Sequence, residues 1–548
     1  MKSWAKYTIV AVIVVSIIGA GFYANQLLSV STPTQKTLVV GSTDKYTNMD
    51  PAVFWAVDSV GATPILEPLY RYALNSSDLE PCLAVSYGII DAKTYEYVLR
   101  EGVKFHDGTP FNASCVKWEI DRAKALGKGL SYAFSTILES VEVVDNYRVR
   151  FHLATAFSGF PNLLAMPSMG YIPSPSAAAK YGDDFSFKMI GTGPYKLQSW
   201  VLDREIIYVR NEEYWGKDYW PVNQQRPDKI VLKIFADSTT LKLALEKGDI
   251  DIAFRNIAHE DVPSLETNAD VQEMQAQWVG YPMFIAFTLS HPYVNNKYLR
   301  KAIAYAIDYD RIVHVALGDF AKRIYSFIDP SWESYEPAWD IYSYNVTRAL
   351  EYITIARQKA EQAGQWSPNE TISISLWCDP SHYGPEIPNV AVIIQDNLKA
   401  IGIKAEIRVV DWDTLITMRG KSELQSHIYA WTPLYNDPYY QMFGICHQKG
   451  GGASKWKYTN ATYDLIVNPT NVERTSELVD LAVKETNSTK RAEYYKEAQR
   501  LFADDAQLII AWTRLEYLYL RKDIKGLVLG PVLTSIGYAW GATYKDGW

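Results

Sequence analysis

The first regularity along the chain is an uncharged apolar run, "TIVAVIVVSIIGAGFYA" at 8–24, preceded by Lys2 and Lys6. It has the form of an export signal or a short membrane anchor, and its 17 residues are at the low end for a span. The lysines set the N-terminus on the cytoplasmic side. "LLSVSTPTQK" (27–36) follows as a linker. Beyond it the hydrophobic period shortens. "TLVVGS" (37–42) predicts a strand, and "KTYEYVLREGVKF" (93–105) alternates Tyr95, Tyr97 and Leu99 with polar residues. "SVEVVDNYRVRFHLAT" (140–155) and "GTGPYKLQSWVLDREIIYVRN" (191–211) each predict a hairpin. "DKIVLKIFADSTTLKLALEKGDIDIAF" (228–254) predicts strand, helix, strand, with Ser238 as cap, Lys247-Gly248 as stop, and the two strands parallel through a right-handed crossover. "NKYLRKAIAYAIDYDRIVHVAL" (296–317) predicts two helices, the second capped by Asp308. Residues 389–415 predict helix, strand, helix, with Gly402 after the first helix; residues 488–521 predict a long helix and two strands. The chain is mixed α/β, and no repeat of solenoid period interrupts it.

A chain of 548 residues predicts two to four domains, and 48% hydrophobic residues supply their cores. Residues 1–36 carry Lys2, Lys6 and Lys36, so the remainder holds 51 of the 54 basic residues against 62 acidic ones, a net charge of −11. That balance argues against a nucleic-acid partner. No cysteine follows the apolar run until Cys82, which argues against a lipid-modified anchor. Cys82, Cys115, Cys378 and Cys446 allow three disulfide pairings or remain buried thiols. Without C-x-x-C spacing they suggest no metal site. Sequons at Asn75, Asn112, Asn345, Asn369, Asn460 and Asn487 are open to glycosylation in an exported chain.

Candidate chemistry concentrates in "LREGVKFHDGTPFNAS" (99–114), where Glu101, His106, Asp107 and Ser114 crowd together. Asp107-Gly108-Thr109-Pro110 is a turn sequence, and Asn112 stands where a helix N-cap belongs. The stretch therefore reads as strand, turn and helix start, with His106 an exposed strand-end residue rather than a general base. An exported hydrolase would need paired carboxylates or an activated nucleophile. There are eight histidines and neither H-E-x-x-H nor G-x-S-x-G. The chain reads as a non-enzyme without cofactor.

"LREGVKFHDGTPFNASCVKW" (99–118) closely resembles the signature of the family 5 extracellular solute-binding proteins, the oligopeptide-, dipeptide- and nickel-binding type of ABC importers. "TLVVGSTDKYTNMDPA" (37–52), "GTGPYKL" (191–197), "ALEKGDIDI" (244–252), "LRKAIAYAIDYDRIV" (299–313) and "IQDNLKAIGIKAEI" (394–407) follow in the family's order. The resemblance implies a two-lobe α/β fold of the periplasmic-binding-protein type (type II with an extra subdomain). Its parts would be a signal or anchor and linker at 1–36, lobe I at 37–66 and 186–289, the subdomain at 67–185, lobe II at 290–512 and a return to lobe I at 513–548. The lobes would close on a small-molecule ligand by a hinge near 288–291 and 512–514. The expected partner is an ABC permease, and the protein is expected to be a monomer held at the outer face of the membrane. A sensor or chaperone on the same fold is a third reading.

The resemblance also addresses the ligand. Peptide binders of this family hold an acid for the peptide amine in a W-x-x-D-Y-type stretch. In "WTPLYNDP" (431–438) that position is Leu434, so the anchor is missing unless Asp437 or another acid moves in. A buried ammonium without a counter-ion is costly. The expectation is therefore an oligosaccharide or similar neutral ligand stacked on aromatic faces, with an oligopeptide or dipeptide as the alternative. The candidate residues are Tyr46, Trp377, Tyr383, Trp431 and Tyr435, with Asn436 and Asp437 as polar partners.

Overall fold

The structure, a computed structural model, describes residues 35–54, 56–73, 78–128, 134–217, 226–254, 257–275, 282–330, 332–431, 437–450, 469–485, 487–515, 517–528 and 543–546. The apolar run at 8–24 lies outside them. Among the described residues no helix is long and apolar enough to cross a membrane.

Lobe I is built on a seven-stranded sheet. Its order is Val271–Gln275, Tyr517–Arg521, Ile252–Phe254, Thr37–Ser42, Lys229–Ile234, Glu205–Arg210 and Tyr195–Val201. Thr37–Ser42 pairs in parallel with both Lys229–Ile234 and Ile252–Phe254, so the crossover predicted at 228–254 forms with the N-terminal strand between its two ends. The crossover helix Ser238–Lys247 ends at Gly248, whose φ of 78° suits a residue without Cβ. Its cap is Asp237 rather than Ser238: the carboxylate accepts from Thr240 N at 2.8 Å, one residue earlier than expected. The predicted hairpin at 191–211 pairs Tyr195–Val201 with Glu205–Arg210.

A four-stranded sheet, in the order Ala84–Asp91, Thr94–Leu99, Arg148–Leu153 and Leu138–Asp145, contains the other predicted hairpin. Helix Ala113–Leu126 starts as the sequence suggested, with Asn112 accepting from Ser114 N and Cys115 N. Asp107 accepts from Thr109 N at 3.0 Å, and Gly108 has φ 84°. His106 differs from expectation. Its ring is enclosed, with Nε2 2.9 Å from Gly193 O, and burial pushes its pKa down to about 4.

Lobe II holds a six-stranded sheet. Its order is Ala321–Arg323, Leu508–Arg514, Pro282–Phe287, Ser426–Ala430, Ser373–Cys378 and Lys404–Val409. Pro282–Phe287 pairs antiparallel with Ser426–Ala430 and Leu508–Arg514. This moves the expected first crossing: it falls between 275 and 282, not at 289/290. The second falls between 514 and 517, since Leu508–Arg514 belongs to lobe II and Tyr517–Arg521 to lobe I. The reason is apolar continuity. Pro282–Phe287 is buried along its whole length, so the pattern alone does not say against which sheet. The four cysteines are unpaired and buried, so none of the three disulfide pairings forms.

Candidate ligand-binding site

In open parallel α/β sheets, ligands bind outside the carboxyl ends of the strands. Here those ends release three loops that carry the expected residues. Residues 43–50 follow Thr37–Ser42, residues 379–386 follow the parallel strand Ser373–Cys378, and residues from Trp431 onward follow Ser426–Ala430.

The loops place the aromatic residues differently from expectation. Tyr46 is 3% exposed and packs with Met49 and Phe54 in the lobe I core. Tyr383 is 5% exposed; its hydroxyl accepts from Ala430 N at 3.2 Å, which ties two loops of lobe II together. A tyrosine carries enough apolar surface to enter a core when its hydroxyl is accommodated. Trp377 is half-buried, and its indole Nε1 donates to Ser375 Oγ at 3.1 Å within its own strand. Trp431 is half-buried beside Tyr440, with ring centroids 5.8 Å apart. Its Nε1 is buried and has no acceptor among the described residues. Tyr435, Asn436 and Leu434 lie outside the described residues.

Asp437 is placed by its sequence context and then consumed by it. It caps the turn Pro438–Gln441, accepting from Tyr439 N at 2.9 Å. Both carboxylate oxygens also accept from Arg491 Nη2, at 2.6 and 2.8 Å. Burial opposes the charge on Arg491, yet Asp437 and Tyr495 hold its guanidinium above the ordinary range. In this structure the Asp437 carboxylate is engaged by Arg491.

This pair lies where the segment after strand Arg148–Leu153 touches lobe II. Ser158 N donates to Val483 O at 3.2 Å, and the Phe157 and Tyr439 rings are 5.3 Å apart. A Cβ on Gly159 would stand 2.8 Å from Asp437 Cγ, so only glycine permits this approach. A cavity of about 380 Å³ opens alongside, lined by Ser158, Asn162, Trp332, Asp437, Glu485 and Arg491 among others.

An aromatic ladder with no contiguous signature in the sequence stands in lobe II. His382 stacks on Trp412 at 4.0 Å, Trp412 lies nearly parallel to Tyr429 at 6.1 Å, and the Arg419 guanidinium sits 4.5 Å over Tyr429. Its members come from three segments distant in sequence. The one available signal was "VVDWDTL", where Asp411 caps the helix that delivers Trp412 and Arg419. Beside Tyr429, His427 is 1% exposed with both ring nitrogens unpartnered among the described residues. Burial, with the charge of Arg419, pushes its pKa down to about 3, so it is a neutral ring. Among the described residues no group of three or more His, Cys, Asp or Glu is arranged to hold a metal ion.

The model of the bacterial extracellular solute-binding proteins, family 5 (middle), matches residues 78–453. The chain belongs to this family. Among its relatives is the protein named Probable D,D-dipeptide-binding periplasmic protein DdpA of Escherichia coli K12, 27% identical over 521 residues, which cover 91% of this chain and 92% of DdpA. The glutathione-binding protein GsiB of the same strain is 30% identical over 399 residues, 72% of this chain and 73% of GsiB. The structure of the ABC transporter-associated periplasmic binding protein DppA from Helicobacter pylori, in complex with peptide STSA, superposes with a TM-score of 0.74 at 24% identity, covering 94% of this chain and all of DppA. The two-lobe fold is thus that of the family 5 solute-binding proteins. The chain is the extracellular solute-binding component of an ABC importer, which captures a small ligand and delivers it to the membrane permease.

Proposed function

We propose that the solute is a short peptide or peptide-like compound rather than the oligosaccharide that the substitution at Leu434 suggested. The observation that carries this reading is the fate of the aromatic residues. Tyr46 and Tyr383 are core side chains, so of the expected described aromatic faces only those of Trp377 and Trp431 stay partly exposed for a sugar to stack on. The names of DdpA, GsiB and the DppA complex, a D,D-dipeptide, glutathione and a peptide, support the same direction.

A peptide ammonium still needs a carboxylate. Asp437 is held by Arg491. We assign the role to Asp44, half-buried at the carboxyl end of Thr37–Ser42, where its own N–H donates to Ser42 Oγ at 3.0 Å. The chain acts by binding alone, as a monomer tethered outside the membrane through residues 8–24; intact-mass analysis of membrane-bound protein that recovers residues 1–24 tests the tether.

Titration calorimetry with glutathione, D-alanyl-D-alanine, Ser-Thr-Ser-Ala and a cello-oligosaccharide series tests the ligand class. Binding of one of the three peptides, weakened at least tenfold by Asp44→Asn, is the expected result. Binding of the sugars alone overturns it.

A further inference from the structure

The turn that follows the site is a π-helix, Met442–Cys446, in which His447 N reaches back to Met442 O at 3.1 Å. Single π turns inside helical segments recur at functional sites, because the wider ring re-aims the side chains around it. Here the turn has one small residue, Gly444, and the Trp431 indole rests on it. A Cβ built on Gly444 would lie 2.5 Å from Trp431 Cζ2 and 3.0 Å from Cε2. No methyl group fits there without displacing something.

The turn cannot be what moves. Met442 and Ile445 are fully buried and Cys446 is 3% exposed, all within the lobe II core. On the far side Gly450 approaches Phe443 O so closely that its own Cβ would clash with backbone at 1.9 Å. The indole is half-buried and leads into the loop at the carboxyl end of Ser426–Ala430, so it is the part free to shift. Its Nε1–H is buried without an acceptor among the described residues. A buried N–H gains from an acceptor, and an oxygen of a bound molecule can supply one.

We propose that Gly444 is a positioning residue for the solute: it seats the Trp431 indole and holds its Nε1–H for an acceptor oxygen of the bound molecule. For a peptide that oxygen is a backbone carbonyl or the terminal carboxylate. The assignment of the oxygen rests on the peptide reading above; the seating of the indole does not.

The test uses the indole region of a ¹⁵N-correlated NMR spectrum of the intact chain, with the Trp431 resonance assigned by its loss in Trp431→Phe. Gly444→Ala keeps a helical backbone but adds a methyl 2.5 Å from the indole, so a far-UV circular dichroism spectrum and a thermal melt first establish that the variant is folded. In the unliganded protein this variant should shift the Trp431 resonance and leave the other indole resonances in place. With whichever of glutathione, D-alanyl-D-alanine and Ser-Thr-Ser-Ala the wild type binds, the Trp431 resonance should move on saturation. Gly444→Ala and Trp431→Phe should each weaken that binding by roughly tenfold, the value of one hydrogen bond to an otherwise unpaired donor. An unshifted Trp431 resonance in unliganded Gly444→Ala overturns the seating. Peptide binding that leaves the Trp431 resonance still, or that survives Trp431→Phe at full strength, overturns the hydrogen bond. If none of the three compounds binds, the peptide reading fails, and the unliganded comparison still decides the role of Gly444.

Discussion

Arg122 and Arg491 both reach buried carboxylates, but with different charge counts. Arg122 bridges two acids. It meets Asp50, in the loop after the first strand, at 2.5 Å, and Glu119, on its own helix, at 2.8 Å. Arg491 meets one, Asp437, at 2.6 Å. One guanidinium cannot neutralise two carboxylates, and burial together with the Asp50 charge, opposed by Arg122, pushes Glu119 up to about 8. In the second cluster the charges balance. The first cluster joins a lobe I loop to helix Ala113–Leu126 and should respond to pH through Glu119; the second joins the loop after Ser426–Ala430 to helix Ser488–Asp504 as one cation on one anion.

The largest expected effect comes from breaking the balanced pair. Arg491→Met leaves Asp437 buried and unpaired, and should cost about 3–5 kcal/mol of stability by chemical denaturation. Replacing both partners, as in Arg491→Met with Asp437→Asn, should recover much of that loss. A double variant no more stable than Arg491→Met alone would mean that the pair is not the source of the cost.

The unbalanced cluster predicts a pH dependence of intermediate size. Glu119 rises from an ordinary 4.5 to about 8 in the folded chain, so between these values the folded state holds a proton that the unfolded state has released. The contribution is fully present below pH 4.5 and fades as the pH rises toward 8. Stability should therefore fall as the pH rises through this range, and Glu119→Gln should flatten that fall. An equal slope in wild type and variant would place the titration elsewhere.

The smallest effect is a control on the same helix. Asn112→Ala removes the oxygen that accepts from Ser114 N and Cys115 N, and should cost about 1 kcal/mol at every pH. A cost that varies with pH would show that the cap and the Asp50–Arg122–Glu119 cluster are coupled.

Much of this framework was legible along the chain because the signals are local. The hairpins at 140–155 and 191–211 combine alternation with turn residues, and Asn112, Gly248 and Asp308 sit where caps belong. What was not legible depends on contacts between distant segments. Arg491 lies 54 residues from Asp437, so nothing near "NDPYY" announces the ion pair. Tyr46 and Trp431 are both aromatic residues in polar loops, yet one is core and the other half-buried. Residue type does not separate these outcomes; the apolar surface available nearby does. The first crossing between lobes was misplaced for the same reason, since a fully apolar strand fits either sheet.

The ligand is the central claim, and the most direct measurement is mass spectrometry of the solute released by denaturing protein purified from its native host under non-denaturing conditions. The account predicts a nitrogen-containing species that fragments at amide bonds into amino-acid residues and is lost from Asp44→Asn. A ladder of hexose or pentose masses, with no amide-bonded species, would contradict it.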